Sequence, residues 1–253
     1  MDITLALPGI QQPLSSMSHL SGAAVFAWLA VYLLRPVWGS WSRFLAVLVF
    51  VLAAISLLVI SSMFHMFETG SSARAIMLRI DLVAIFALIA GTFTPIHALL
   101  FQGWRRWGVL TVVWSIAILG SAARLIFFES FSEATGAALF LVMGWIGSVT
   151  AWCLWRSGHR DLLIPCVAGG LLYSLGAVSN VLNWPTPIPY IWGPHETLHF
   201  AVLAGLGCHW LVVARAVERS SQVVDGKYLK TAGQPTAGAP SDLPSPPSSR
   251  RVA

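Results

Sequence analysis

The sequence predicts an all-α membrane protein, a seven-transmembrane helical bundle. Three observations predict it. Seven apolar runs are each long enough to cross a bilayer, whose hydrocarbon core takes about 20 residues of helix. Only 10% of the 253 residues are charged, against about 25% in a soluble globular chain, and the mean hydropathy is +0.75. The charges also cluster between the apolar runs, where arginine anchors and orients helix ends. The net charge of +5 is therefore a membrane signal, and no nucleic-acid partner is expected.

The spans fall in order at about 19–36, 43–66, 77–101, 107–128, 134–155, 161–183 and 192–216, each of about the length that a bilayer requires. The first ends at Arg35-Pro36 and the fifth at Arg156; the sixth is followed by Asn183-Trp184-Pro185-Thr186-Pro187, whose prolines stop a helix. This divides the chain into a short N-terminal segment, 1–18, a seven-span domain, 19–219, and a tail, 220–253, expected to be disordered because Ser, Pro, Gly and Ala dominate its end. The start, Met1-Asp2-Ile3-Thr4, lacks the basic region of a signal peptide, so the first run reads as a permanent span. Trp38, Trp41, Trp104, Trp107, Trp155, Trp184 and Trp192 sit at span ends, as in interfacial aromatic belts. Gly136, Gly144, Gly147, Gly169, Gly170, Gly176, Gly205 and Gly207 read as packing residues. Cys153, Cys166 and Cys208 lie inside spans without a CxxC pair and read as packing residues too.

Against this apolar background a few ionisable residues stand out. His65 lies near the end of the second span, Asp81 near the start of the third, and His195 and His199 open the seventh. Ionisable groups in hydrocarbon are costly and mark functional sites. Because the spans alternate in direction, all four fall in the same leaflet. His195 and His199, at i and i+4, share one helix face about 6 Å apart. With His65 they make a three-imidazole set for a zinc ion, with ligand distances of about 2.0–2.1 Å and the fourth position open. Such an ion lowers the pKa of water to about 7. Asp81 is placed to take the water's proton, and Ser61, one turn before His65, to donate a hydrogen bond to a substrate oxyanion. Asp81 and Ser61 are thus the candidate catalytic residues, and His65, His195 and His199 the candidate metal ligands. Glu196 points about 100° from His195 and reads as a wet residue at the helix N-terminus. His209 lies about 21 Å down the same helix, bonded to a neighbouring helix; His97 reads as structural, and His19 and His159 as solvated residues at span edges.

These residues also carry a family resemblance. Ser61-Ser62-Met63-Phe64-His65 resembles the SxxxH signature of the hemolysin III family, related to the progestin and adipoQ receptors, which include the adiponectin receptors. Arg79-Ile80-Asp81 through Ile89-Ala90-Gly91-Thr92-Phe93-Thr94-Pro95 is similar to its second motif. His195-Glu196-Thr197-Leu198-His199-Phe200, with Val202, Gly205 and His209, is similar to its HxxxHxFVxxG…H ending. Leu82 stands where a His is typical, and His97 where Phe is common; neither change removes a ligand. The resemblance implies a seven-helix bundle holding zinc through His65, His195 and His199, with Asp81 joined to the ion through a water. Related alkaline ceramidases use a similar Ser, His and Asp set to hydrolyse a lipid amide, and bacterial relatives are linked to membrane-fluidity homeostasis.

Two functions follow as expectations: a zinc-dependent lipid amide hydrolase acting in membrane lipid homeostasis, or a non-enzymatic, receptor-like sensor in which zinc is structural. A pore-forming cytolysin finds no support, since the spans lack a charged lumen. Membrane lipid is the expected partner. Two Lys against thirteen Arg suggest a GC-rich, bacterial genome, hence the bacterial inner membrane. Orientation stays open between two arguments. The side shared with the C-terminus holds ten basic residues, Arg35 through Lys230, against Arg74, Arg79 and Arg124 opposite, which favours a cytoplasmic C-terminus. Likeness to the adiponectin receptors implies the reverse.

Overall fold

A computed structural model describes residues 10–232, with side chains to residue 222. Eight α-helices run through it: α1 (Pro13–Leu34), α2 (Trp41–Met66), α3 (Ser72–Leu100), α4 (Trp104–Ile126), α5 (Glu133–Trp145), α6 (Gly147–Arg156), α7 (Leu163–Leu182) and α8 (Pro194–Ala232). Together they supply seven segments long and apolar enough to cross a membrane, the fifth made of α5 and α6. The chain is thus a seven-helix, multi-pass membrane bundle.

Several features differ from the sequence expectation, the start of α3 at Ser72 rather than 77 among them. α1 begins at Pro13, six residues before the expected start at 19. Proline fits the first helical position because its missing N–H would be unpaired there anyway. α8 continues past 219 to Ala232, with no proline between Pro194 and Pro235 to end it earlier. Residues 1–9 and the rest of the expected tail lie outside the described residues. The fifth span breaks at Ile146, where the Ile146 N–H bonds Met143 O (3.2 Å) and the Val149 N–H bonds Ile146 O (2.9 Å), tighter turns than the α-helix makes. Gly144 and Gly147 flank the break, and glycine lowers the cost of such a kink.

The remaining elements follow local rules. Ser71 caps α3 by accepting the Arg74 N–H at 3.2 Å. Pro95 sits inside α3, as membrane-spanning helices tolerate, and next to it Thr94 Oγ1 donates to Ala90 O at 2.9 Å. α7 ends on Asn183 in the left-handed conformation (φ 51°), a common helix terminator. Pro194 opens α8, and the Glu196 carboxylate reaches back to accept the Gly193 N–H at 2.9 Å, half of a capping box.

Packing gathers α1, α2, α3 and α8 around buried Phe50, Leu58, Ile96 and Leu206, with the Trp210 ring 4.9 Å from Phe26 and 5.2 Å from Phe50. A second cluster joins α3, α4 and α5 around Phe86, Val113 and Met143. α3 and α2 meet where Gly91 lies, since a Cβ there would sit 2.9 Å from Ala53 Cβ. Trp38, Trp41, Trp104, Trp107 and Trp184 are exposed at helix ends, as the aromatic-belt reading expects. Alternation brings the C-terminal ends of α2, α4 and α7 and the N-terminal ends of α3, α5 and α8 to one end of the bundle. The chain before α1 is tied there too, because the Gln11 and Gln12 N–H groups bond the carbonyls of Met66 (3.3 Å) and His65 (3.1 Å).

Candidate metal centre

Three imidazoles converge at that end. His65 in the last turn of α2 and His199 in α8 are buried, and His195 is partly so. His195 Nε2 lies 3.3 Å from His65 Nε2 and 3.2 Å from His199 Nε2. One ligand atom from each residue fits within 4.8 Å of the others. This is the set that the i, i+4 spacing in α8 and the antiparallel approach of α2 were expected to produce. The three histidines form a group that could hold a metal ion.

Two of their outer nitrogens show why the arrangement suits a cation; the third, His199 Nδ1, is buried without a hydrogen-bond partner. His65 Nδ1 is 2.5 Å from Gln12 Oε1, a carbonyl oxygen that also accepts from Arg74 Nη2 at 2.8 Å. His195 Nδ1 is 2.9 Å from Asn180 Oδ1, while the other arm of that amide donates to Glu133. Both outer partners are acceptors, so each Nδ1 carries the proton and each Nε2 carries a lone pair. In that tautomer the Nε2 lone pairs of His65 and His195 face each other at 3.3 Å. A shared cation resolves that repulsion, and outer-sphere acceptors of this kind fix metal-binding tautomers. Arg74 locks the support further, donating from Nη1 to the carbonyls of Phe64 (3.1 Å) and Phe67 (2.9 Å) at the end of α2.

Asp81 and Ser61 are brought to the same place. Both are buried, and both line one cavity of about 730 Å³ together with the three histidines. Asp81 Oδ1 is buried without a hydrogen-bond partner, an orphaned acceptor beside a set of metal donors. Asp81 is not among the residues whose ligand atoms approach mutually within 4.8 Å. The cavity wall is otherwise mainly apolar: Leu57, Leu78, Ile85 and Phe140 are typical. Gly144, Trp145, Ser148, Val167 and Leu171 line it and are also exposed on the flank of the bundle. This opening lies between the broken fifth span and α7, where Trp145 Nε1 donates to Ser174 Oγ at 3.2 Å.

His97 and His209 stay apart from the three-imidazole group. His97 is fully buried between Arg105 O (2.5 Å) and Thr150 Oγ1 (2.9 Å), a structural role. His209 bonds Gly205 O of its own helix at 3.0 Å rather than a neighbouring helix. Its ring fills the notch at Gly169, where a Cβ would come within 2.1 Å of Nδ1.

Two further expectations are overturned. His19 is not solvated: it is 4% exposed, its ring centroid lies 3.9 Å from that of His199, and neither ring nitrogen has a hydrogen-bond partner. The cause is the early start of α1, which moves His19 from a helix edge into the bundle. Glu196 is not wet: it is 3% exposed and accepts from Ser15 Oγ at 2.9 Å as well as from Gly193. Gln12 and Asn180 carry no signal in the sequence, because uncharged amides near helix ends are ordinary.

The sequence is similar to that of known proteins. The sequence profile of the "Haemolysin-III related" family matches residues 10–210. "Hemolysin-3" of Bacillus cereus is 34% identical over 128 residues, 50% of this chain and 54% of that protein. The chain thus spans about half the length of that relative. "Hemolysin-3 homolog" of Bacillus subtilis (strain 168) is 30% identical over 159 residues, 62% of this chain and 71% of that protein. With the profile covering α1 into α8, this chain belongs to the haemolysin-III related family, as a multi-pass membrane protein with a three-histidine group able to hold a metal.

Proposed function

We propose that this protein is a zinc protein of bacterial membrane lipid homeostasis that hydrolyses a lipid amide or related acyl bond. The observation that carries the reading is the pairing of inward Nε2 lone pairs with an orphaned Asp81 carboxylate oxygen at the edge of an apolar cavity. Zinc is the metal that three imidazoles with an open position suit best. When bound, it supplies Lewis acidity toward a carbonyl oxygen and lowers the pKa of water.

The chain's own residues supply the rest. The Asp81 carboxylate accepts the proton of the attacking water and returns it to the leaving amine. The Ser61 hydroxyl donates to the oxygen on which negative charge develops. The apolar wall holds the acyl chain and excludes bulk water from the carboxylate. Gln12 and Asn180 keep the His65 and His195 imidazoles in the right tautomer.

A second reading is favoured by a different observation. The centre and its supports draw on the chain before α1 (Gln12), α2 (His65), α3 (Arg74), α7 (Asn180) and α8. A metal there would staple these elements in a receptor-like sensor without catalysis. Metal analysis of the purified protein, with lipidomic comparison of cells carrying wild type and Asp81→Ala, separates the two. The hydrolase reading expects about one zinc per chain in both proteins and a lipid consumed only by wild type. Identical lipid profiles with zinc retained would leave the staple.

A further inference from the structure

One charged group in the cavity wall takes no part in that chemistry. Arg124, in the last turn of α4, is 7% exposed, and its Nε and Nη1 are buried without a hydrogen-bond partner. The Phe128 and Phe131 rings lie 5.5 and 5.1 Å from its Cζ. Among the described residues no carboxylate makes an ion pair with it; Glu129 pairs instead with Arg79 at 3.8 Å. Glu133, which also lines the cavity, is engaged by the Asn180 amide. A guanidinium in a membrane protein is costly unless something pairs with it. The faces of this one are met by aromatic rings, while two of its three nitrogens are unsatisfied.

Its position relates it to the metal centre. Arg124 lines the same cavity as His65 and His195. Its Cζ lies 3.7 Å from where a Gly136 Cβ would be, and Gly136 shares a face of α5 with Glu133 at i, i+3. Glu133 holds Asn180, and Asn180 holds His195. A Cβ at Gly136 would make ordinary contact with the guanidinium, so the glycine leaves room for no more than a methyl group there, and Arg124 faces the shared cavity as part of its lining. Cavities of this size, about 730 Å³, suit a small amphiphile better than a bare ion, and the lining is largely apolar. We propose that Arg124 binds the oxyanionic head, phosphate or carboxylate, of an amphiphile whose chain lies in the cavity. Arginine matches such oxyanions in geometry and keeps its charge when desolvated. This rests on reading the cavity as a lipid site, and it narrows the lipid to an anionic class; it does not depend on the metal's chemistry.

The test uses the full-length chain with its metal bound, in neutral detergent, and reads binding before any turnover. Binding of dioleoyl phosphatidate is compared with that of dioleoylglycerol, which differs only in the phosphate. Wild type should prefer phosphatidate by about tenfold or more, the worth of one charge-assisted hydrogen bond. Arg124→Gln should erase the preference, and Arg124→Lys, which keeps the charge, should retain part of it. Equal binding of the two lipids by wild type, or an undiminished preference in Arg124→Gln, would overturn the proposal; the guanidinium then only reaches for the interface. Inorganic phosphate that displaces phosphatidate at equal concentration would overturn the lipid-borne part. If Arg124→Gln is not folded by circular dichroism, loss of preference in Arg124→Met, whose flexible chain conserves packing, serves instead. Preference without any hydrolysis in lipidomics would remove the hydrolase reading and leave this one.

Discussion

At the residue scale, Gln12 has the most specific consequence. Its carbonyl oxygen fixes the His65 tautomer while Arg74 fixes the amide. Gln12→Ala should therefore weaken metal binding about 10–100-fold, the usual cost of losing an outer-sphere partner, without removing a ligand. Competition with a chromophoric chelator measures this, and His199→Ala should bring the metal content close to zero in the same assay. The ligands themselves were legible in the sequence because ionisable residues are conspicuous in apolar spans, and the i, i+4 pair fixes its own geometry. Gln12 and Asn180 were illegible for the opposite reason: they are neutral, lie near helix ends, and acquire meaning only from the imidazole nitrogen each one faces. His19 was misread because its environment depends on where α1 begins, and the apolar pattern alone does not reach back to Pro13.

At the scale of elements, α2 and α3 meet so closely that Gly91 has no room for a methyl group against Ala53. Gly91→Ala should destabilise the protein by about 1–3 kcal/mol, the range for overpacking a close contact. Adding Ala53→Gly should recover much of that loss in the same detergent-unfolding experiment. Between α6 and α7, His159 accepts from Arg219 Nη1 at 2.6 Å, and Arg219 also donates to Asp161 at 2.6 Å. Burial, then the Arg219 charge, hold the His159 imidazole below its usual pKa, with Asp161 opposing. A depressed imidazole pKa means the neutral ring is the stabilising form. Its contribution is present above the unfolded value of about 6.5 and is lost as pH falls through the folded value. Arg219→Ala should raise the His159 pKa in an NMR titration, and an unchanged or lower value would contradict the assignment. Six of the seven spans could be read as single helices from hydropathy; the break in the fifth could not, because Gly144 and Gly147 look like the packing glycines found elsewhere in the chain.

At the scale of the whole molecule, the site joins segments far apart in sequence, from Gln12 to His199. Metal binding only to the folded chain stabilises it by mass action, so chelation should lower the unfolding temperature of wild type and leave His195→Ala unaffected. Orientation can be tested independently. The arginine bias predicts a cytoplasmic C-terminus, hence fluorescence from a C-terminal reporter that matures only in the cytoplasm; a dark fusion with an active exported reporter would reverse it. Fold class was legible because bilayer thickness constrains helix length directly. The cavity was not, since its volume depends on how the broken fifth span and α7 stand apart.

His65, His195 and His199 are proposed to hold one zinc ion through their Nε2 atoms. Zinc K-edge X-ray absorption on the purified protein tests it most directly. Three imidazole scatterers at about 2.0–2.1 Å with one further light atom are predicted, with the signal lost in His195→Ala. A spectrum dominated by sulfur, or an imidazole signature that survives His195→Ala unchanged, would contradict it.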